Sequence, residues 1–229
     1  MISVIIPTLN AQDRLTATLA ALVPAAVDGI VREVIVIDGG STDQTGAIAE
    51  EAGATFVART GGRGYQLEVG ARRAKFPWLL FLHDDTVLDG GWEREASSFM
   101  YAVDSGSRPA AAAAFRFGLD DVGMRPRLLE RLVALRCRIF GLPYGDQGLL
   151  IPGTLYRQIG GFNPLPVMED VDFFRRLKRR RLAMLQARAV TDAQKFRQSG
   201  YLRRSARNLT CLTLYFLGVS TGRIDRLYR

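Results

Sequence analysis

The segment 78–86, WLLFLHDDT, ends an apolar run with a histidine and two adjacent carboxylates. Adjacent acids at the end of a strand repel each other, so a cation is expected to meet them. Mg²⁺ and Mn²⁺ prefer carboxylate oxygens and often join them to substrate phosphates. His83 is the only histidine in the chain, which disfavours zinc. Asp84 and Asp85 therefore predict a hard divalent cation site, although capping of the next turn or pairing with a nearby arginine would also explain either acid.

The position of each side chain in the strand gives a further expectation. Successive strand residues point to opposite faces, so a strand over 77–85 places His83 and Asp85 on one side and Asp84 on the other. The period favours His83 and Asp85 as the pair that faces a ligand. Asp84 could still turn inward, because the alternation fails where a strand ends.

A second group of acids lies in MEDVD, where Glu169, Asp170 and Asp172 fall within four residues. Acids at a helix start are partly explained by the helix dipole. A general base also needs an accessible carboxylate on a firm element, and Asp170 fits that demand.

Two glycine-containing turns could bind phosphates or a nucleoside. After a predicted strand, Asp38-Gly39-Gly40-Ser41 would let a ligand approach the backbone, and Asp38 could accept hydrogen bonds from a base or a ribose. A plain turn explains these residues equally well. The segment RTGGRGYQ offers two arginines and several amides at a helix N-terminus, which suits a diphosphate. Neither segment has the spacing of a dinucleotide fingerprint or a P-loop.

Strands alternate with helices through the first hundred residues, which predicts βαβ units and a mainly parallel sheet flanked by helices. The carboxyl ends of such strands share one edge, where ligands bind. We expect the polar residues described above to meet there. The predicted strands cover 3–8, 32–38, 54–58 and 77–85, and the predicted helices cover 11–25, a segment from Ser41 or Thr42 to Gly53, and 61–76.

The second half is less regular. No linker or repeat appears, so one domain over 1–229 is predicted, with a nucleotide-binding half at 1–100 and an acceptor half at 101–229. The patterns in this half predict a strand over 110–118, a helix over 125–141 ended by a glycine, a strand and a short helix within 145–162, a helix over 168–181, and a longer helix over 201–218.

Charge is divided unevenly along the chain. The net charge of +8 comprises −5 in residues 1–100 and +13 in the remainder. A polyanion, an anionic membrane surface, a phosphate-bearing substrate or a solvated arginine face would each explain the basic half. Nucleic acid is not expected, because the basic helices lack interleaved aromatic residues. Peripheral membrane contact is a hypothesis that rests on Arg175, Arg176, Lys178, Arg179, Arg180, Arg181 and the segment 197–207.

The remaining composition favours a cytoplasmic protein, and the basic helices extend this expectation to the inner face of the membrane. No signal peptide is expected from MISVIIPTLN, and the apolar segment 209–220 is too short to span a bilayer. Cys137 and Cys211 lie in apolar helical contexts and are expected to be free, buried thiols.

Four segments in order, SVIIPTLN, EVIVIDGGSTDQT, WLLFLHDDT and IGGF…MEDVDFFRRL, resemble the inverting family 2 glycosyltransferases of the GT-A fold. The resemblance covers roughly the whole chain. The phrases FLHDDT and GRGYQLEVGA and the C-terminal segment are similar to a small bacterial branch of that family. The resemblance implies a nucleotide-diphospho-sugar donor, commonly a UDP-sugar, and an acceptor that could be lipid-linked.

The resemblance also implies roles for individual residues. Asp85 would bind Mn²⁺ or Mg²⁺ and the diphosphate, with His83 beside it, and Asp170 would deprotonate the acceptor, with Glu169 beside it. The donor would lie against Pro7, Thr8, Asn10, Asp38, Gly39, Ser41, Arg59, Arg63, Gln66, Asp84 and Lys195.

Two positions depart from the family pattern. His83 replaces the first acid of the Asp-x-Asp signature, and Glu68 stands where relatives usually have asparagine. A non-catalytic protein that binds sugar nucleotides is therefore the alternative to a transferase.

Overall fold

The computed structural model describes residues 1–228, apart from the side chains of Lys195 and Tyr228. The strands of this part of the chain form one sheet in the order β3-β2-β1-β4-β7-β6-β8-β5. They are β1 Ile2–Thr8, β2 Val31–Asp38, β3 Thr55–Ala58, β4 Trp78–Phe81, β5 Thr86–Leu88, β6 Ala112–Asp120, β7 Leu149–Pro152 and β8 Leu182–Asp192.

Helices cover both faces of this sheet, and short 3-10 turns occupy Gly145–Gln147 and Arg179–Arg181. The α-helices are α1 Leu15–Ala20, α2 Val23–Val27, α3 Thr45–Glu51, α4 Arg63–Arg73, α5 Trp92–Asp104, α6 Met124–Phe140, α7 Gly153–Ile159, α8 Glu169–Leu177, α9 Gln194–Ser199, α10 Tyr201–Phe216 and α11 Thr221–Tyr228.

The sheet confirms the predicted α/β fold. Strands β1 to β4 are mutually parallel, β6 and β8 run in the same direction, and only β5 and β7 oppose them among the described strands. Every residue of β1 is buried, as expected for a parallel strand covered on both faces. Gly70 lets α4 approach closely, since a Cβ there would lie 2.3 Å from Ile5 Cγ2. The carboxyl ends of the parallel strands consequently share one edge.

Three predicted boundaries in the first half are wrong. The helix predicted over 11–25 is two short helices, α1 and α2. Strand β4 ends at Phe81, so 82–85 form a loop and a turn. Helix α3 begins at Thr45, because Ser41 instead donates its hydroxyl to Asp38, while the Asp43 carboxylate accepts the Thr45 N–H.

In the second half, the helix over 125–141 is confirmed by α6, which ends at Gly141 in the left-handed region with φ of 60°. The helix predicted over 168–181 is too long, since α8 ends at Leu177 and β8 follows. Strand β8 was missed because LAMLQARAVTD contains good helix formers and has no clean alternation of burial. Its long parallel pairing with β6 overrides that preference.

Two further expectations can be compared with the structure. Within residues 1–228, no helix combines the length and the apolar character needed to cross a bilayer. Cys137 and Cys211 are both buried free thiols, which confirms that prediction.

Candidate active site

A cavity of about 120 Å³ opens beyond the carboxyl ends of the parallel strands. Carboxylates from distant parts of the chain line it together with basic and aromatic side chains. The ionisable residues of its wall are Arg63, His83, Tyr144, Arg204 and the acids Asp85, Asp146, Asp170 and Asp192. Of the residues predicted from the sequence, Arg63, His83, Asp85 and Asp170 are therefore brought together.

Asp170 occupies the first turn of α8, and only 8% of its surface is exposed. Its Oδ2 accepts the Gly145 N–H at 2.8 Å, and its Oδ1 accepts the Val171 N–H at 2.7 Å. Met168, the residue before the first residue of α8, has a φ of 64°, in the left-handed region, and this conformation turns the chain into the helix. These contacts fix both carboxylate oxygens at the cavity wall.

Glu169 lies beneath the cavity wall rather than in it. Its carboxylate is 1% exposed and accepts a hydrogen bond from Arg63 Nε, which ties α8 to the start of α4. Burial raises the pKa of Glu169, and the neighbouring Asp170 adds to the rise, while Arg63 opposes it. Glu169 Oε2 is buried without a hydrogen-bond partner. The arrangement positions Arg63 and keeps Glu169 out of the cavity lining.

The side chains of the HDD segment, residues 83–85, lie on two sides, as strand alternation predicted. The segment is a loop and a turn, however, and not a strand. His83 and Asp85 line the cavity, whereas Asp84 lies 3.3 Å from Arg14 Nη2 on the other side. The His83 ring packs on Gly145, where a Cβ would lie 2.5 Å from its Nε2. A side chain at position 145 would therefore require the His83 ring to move.

Asp146 was missed by the sequence analysis. It occupies the 3-10 turn between α6 and β7, and its Oδ1 is buried without a hydrogen-bond partner. Burial raises the pKa of Asp146 to about 6, with Asp170 and Asp85 adding to the rise and Arg136 opposing it. An acid in a glycine-flanked GDQG segment directly before an apolar strand is a signal that could have identified it.

Asp192 was missed because β8 was missed. Its N–H donates to the Asp85 carbonyl at 3.1 Å, so the end of β8 is joined to the HDD segment. Its carboxylate accepts the Gln194 N–H at 2.7 Å and lies 3.4 Å from Arg197 Nη2. The side chain of the adjacent Lys195, a predicted donor-binding residue, lies outside the described part of the chain.

Asp38 is the last residue of β2, and its hydrogen bonds hold the loop that follows this strand. Its carboxylate accepts the Gly40 and Ser41 N–H groups at 2.9 and 2.7 Å, and also the Thr8 and Ser41 hydroxyls. Burial alone would raise the pKa of Asp38, but the hydrogen bonds from Ser41, Gly40 and Thr8 together outweigh it and lower the pKa. In the structure, the Asp38 carboxylate bonds to the protein's own loop. Its contact with a nucleotide base stays a prediction.

The other predicted donor-binding residues surround this loop. Asn10, with a φ of 49°, donates its N–H to Ser41 Oγ at 2.7 Å and accepts the Thr42 N–H. Gln66 is buried and donates to the carbonyls of Thr8 and Ile37 at 3.0 and 2.8 Å, which joins the ends of β1 and β2. Pro7 is buried within β1, Gly39 lies against Gln66, and Arg59 is exposed after β3.

Glu68 faces away from this loop. Its Oε2 accepts the Tyr156 hydroxyl at 2.7 Å, and its Oε1 lies 2.8 Å from Arg72 Nε. The departure from the family pattern at this position therefore serves the packing of α4 against α7.

The cavity suits a hard divalent cation in one respect. Its donor atoms are mainly carboxylate oxygens, and the buried Oδ1 of Asp146 has no hydrogen-bond partner. Within the described residues, however, no group of three or more acidic, histidine or cysteine side chains forms a ready coordination sphere. Mg²⁺ and similar ions are often held by one or two carboxylates and completed by substrate phosphates, and the residues present fit that mode.

The mainly parallel sheet, flanked by helices and with a cavity at its carboxyl edge, agrees with the predicted GT-A fold. Residues 3–106 match the family model described as glycosyl transferase family 2. Two curated relatives match over 58 residues, a quarter of this chain. They are the glucosyl-3-phosphoglycerate synthases of Mycolicibacterium paratuberculosis, 45% identical, and Mycobacterium tuberculosis, 43% identical. The matched segment spans only 17–18% of those relatives' own length.

Solved structures share the fold over nearly the whole chain. TarS 1–349 of S. aureus superposes with a TM-score of 0.65 at 18% identity, covering 99% of this chain and 69% of that one. The M. tuberculosis glucosyl-3-phosphoglycerate synthase with phosphoglyceric acid gives 0.63 at 20% identity, covering 96% and 80%. The same enzyme with Mn²⁺, UDP and glucosyl-3-phosphoglycerate gives 0.59 at 21% identity, covering 91% and 78%. The predicted resemblance is confirmed: residues 3–106 match the family 2 glycosyl transferase model, and the chain has the GT-A fold.

Proposed function

We propose that the chain is a glycosyltransferase that moves a sugar from a UDP-sugar to an acceptor hydroxyl with inversion. One observation carries the proposal: Arg63 and Asp85 from the first half line the same cavity as Asp170 from the second half. The fold relatives solved with Mn²⁺ and UDP or UDP-glucose support the donor class. We infer that residues 1–229 act as one domain, with the donor bound by 1–100 and the acceptor by 101–229.

Asp170 would act as the general base. Its carboxylate is held by two backbone N–H groups and faces the cavity, so it can accept the proton of an acceptor hydroxyl without reorientation. The hydroxyl oxygen then attacks the anomeric carbon from the face opposite the diphosphate. The bond from that carbon to the diphosphate oxygen breaks, and the electron pair leaves with the nucleotide.

Arg63 would stabilise the departing diphosphate. Its side chain lines the cavity while its Nε is oriented by Glu169, which supports a role for this guanidinium in stabilising the charge of the diphosphate. A divalent cation held by Asp85, with His83 beside it, would supply further neutralisation of the diphosphate charge.

The replacement Asp170→Asn tests the base. Losing a general base costs about 10²–10⁴-fold in rate, so kcat should fall by that factor while UDP affinity is unchanged. Asp172→Asn is the matched control on the same helix, because Asp172 pairs with Arg176 at 2.7 Å and does not line the cavity. Turnover by the Asp170 variant equal to that of the control would reject the assignment.

The replacement Asp85→Ala tests the cation site. UDP affinity measured by calorimetry with Mn²⁺ should fall to the level that the unaltered protein shows with chelator. An affinity that stays unchanged with Mn²⁺ present would leave Asp85 without a role in cation binding.

A non-catalytic sugar-nucleotide-binding protein is the second candidate. It is favoured by His83, which stands where the family has an acid. Slow hydrolysis of UDP-sugars, lost on Asp170→Asn, distinguishes the enzyme from the binding protein. Nucleotide binding with neither transfer nor hydrolysis would favour the second candidate.

The basic residues of the second half would bring the enzyme to its acceptor. We infer a cytoplasmic enzyme that reaches an acceptor near the inner membrane face through exposed cations at Lys178, Arg179 and Arg180. Neighbouring arginines of that segment are engaged internally: Arg176 pairs with Asp172, and Arg175 lies over the Phe216 ring at 5.0 Å. Sedimentation with anionic vesicles at low salt tests this contact, and its absence would remove the membrane from the proposal.

A further inference from the structure

A second, larger groove lies between α6 and the strands β6 and β8. Its volume of about 580 Å³ falls in the range of small-molecule sites, whereas the catalytic cavity is smaller. The 3-10 turn 145–147 separates the two. Gln147 forms part of the groove wall and is 1% exposed, while the adjacent Asp146 lines the cavity. The groove is therefore distinct from the site assigned to the donor.

Arginines dominate the ionisable groups of the groove. Two of them are paired, Arg127 with Glu130 at 2.7 Å and Arg188 with Asp89 at 2.8 Å. The other three are exposed and form no ion pair with any residue of the described chain; they are Arg116, Arg131 and Arg138. Planar guanidinium groups match phosphate and carboxylate oxygens in bidentate geometry, so the groove favours an anion.

Apart from Glu130 and Gln147, the other residues of the groove lining are apolar. Phe117, Ala134, Cys137 and Met184 contribute to a lining whose surface is mostly carbon and sulfur. An inorganic anion would leave this apolar surface in contact with water. A purely apolar ligand would bury surface beside three cations that form no ion pair within the described chain. Only a molecule with both an anionic group and an apolar body satisfies the whole lining.

We propose that this groove binds a freely diffusing amphiphilic anion, with a phosphate or carboxylate group and an apolar body the size of a short alkyl chain. The site is concave, so a flat bilayer surface cannot fill it while its lipids stay in the membrane. The inference goes beyond the proposed function and needs neither donor nor transfer. Binding can be measured on the protein alone, so failure here is distinguishable from failure of the transferase assignment.

The test is calorimetric titration of the full chain, without UDP or metal, using three probes. Decyl phosphate below its micelle concentration carries both features, inorganic phosphate lacks the apolar body, and decyl glucoside lacks the charge. We expect decyl phosphate to bind at least about tenfold more tightly than either, since the apolar and charged contacts each contribute.

Two variants and a control locate the binding. Arg131→Gln with Arg138→Gln removes two cations, and Ala134→Glu adds bulk and negative charge at an exposed helix position that tolerates glutamate. Each should weaken decyl phosphate binding at least about tenfold. Arg32→Gln with Arg73→Gln removes the same charge from exposed sites outside the groove and should leave binding unchanged.

Several outcomes would overturn the proposal. If inorganic phosphate bound as tightly as decyl phosphate, the apolar body would not contribute to binding. If decyl glucoside bound as tightly, the anionic group would not contribute. An equal loss in the control variant would show general charge attraction. Binding to anionic vesicles without binding of monomeric decyl phosphate would assign the arginines to a bilayer and leave the groove without a ligand.

Discussion

At the scale of single residues, the surroundings of Asp146 at the cavity disfavour its ionised form. Asp146 lines the same cavity as Asp85 and Asp170, and burial together with these neighbours raises its pKa to about 6 from the ordinary 3.8. Since the folded protein binds this proton more tightly than the unfolded chain, the contribution to stability is complete below pH 3.8. It is lost as the pH rises through about 6.

The replacement Asp146→Asn should therefore stabilise the protein at neutral pH. Asparagine resembles the protonated acid, so the variant and the unaltered protein should match near pH 4. The difference should grow to at most about 3 kcal/mol in favour of the variant at pH 8, from about 1.4 kcal/mol per pKa unit. Urea unfolding with chelator at pH 4, 6 and 8 measures this. A difference that stays constant with pH would contradict the raised pKa.

Single residues were predictable where the boundary of an element made their chemistry visible. Asp85 follows a strand, where adjacent acids gain nothing from packing, Asp170 lies at the start of a predicted helix, and both line the cavity. Asp146 did not follow, because its significance depends on the turn that brings it beside them. The contacts of Asp38 were also hidden, since its sequence pattern fits a ligand and an internal loop equally well.

At the scale of elements, a buried ion pair joins α4 to α8. Arg63 is 31% exposed at the cavity side, and its partner Glu169 is 1% exposed. Replacing only the arginine would leave a carboxylate buried with less compensation, which is the costly case for such pairs. On the same helix, Arg72 pairs with Glu68 but is 77% exposed, which makes that pair a weak one.

Arg63→Met should therefore lower the free energy of unfolding by about 3 kcal/mol, while Arg72→Met should change it little. Urea unfolding at pH 7 measures both, with an unchanged m-value as the condition for comparing midpoints. Equal losses in the two variants would show that the pair with Glu169 contributes no more than a surface contact.

Elements were predictable where their own sequence pattern specifies them. Strand β1 and helix α6 have patterns set by their own sequence, and both were predicted. Strand β8 has side chains of intermediate burial, and its conformation is imposed by pairing with β6, from Ala112↔Leu182 to Asp120↔Asp192. Local sequence does not contain that partner, so the C-terminal wall of the cavity was missing from the prediction.

At the scale of the whole molecule, the proposed site exists only when both halves of the chain meet. Arg63, His83 and Asp85 come from the acidic half, and Asp146 and Asp170 come from the basic half. A ligand that contacts this cavity binds the folded chain and not the unfolded one. Its binding must therefore raise the stability of the entire fold by mass action.

UDP with Mn²⁺ should accordingly raise the melting temperature. At a ligand concentration one hundred times Kd, the gain is about 2.7 kcal/mol, which corresponds to about 5–10 °C for a chain of this size. The shift should persist in Asp170→Asn, because the proposed base is not needed for donor binding, and should be lost in Asp85→Ala. A shift of the same size with chelator would assign diphosphate binding to Arg63 and its neighbours and leave the cation without a part in it.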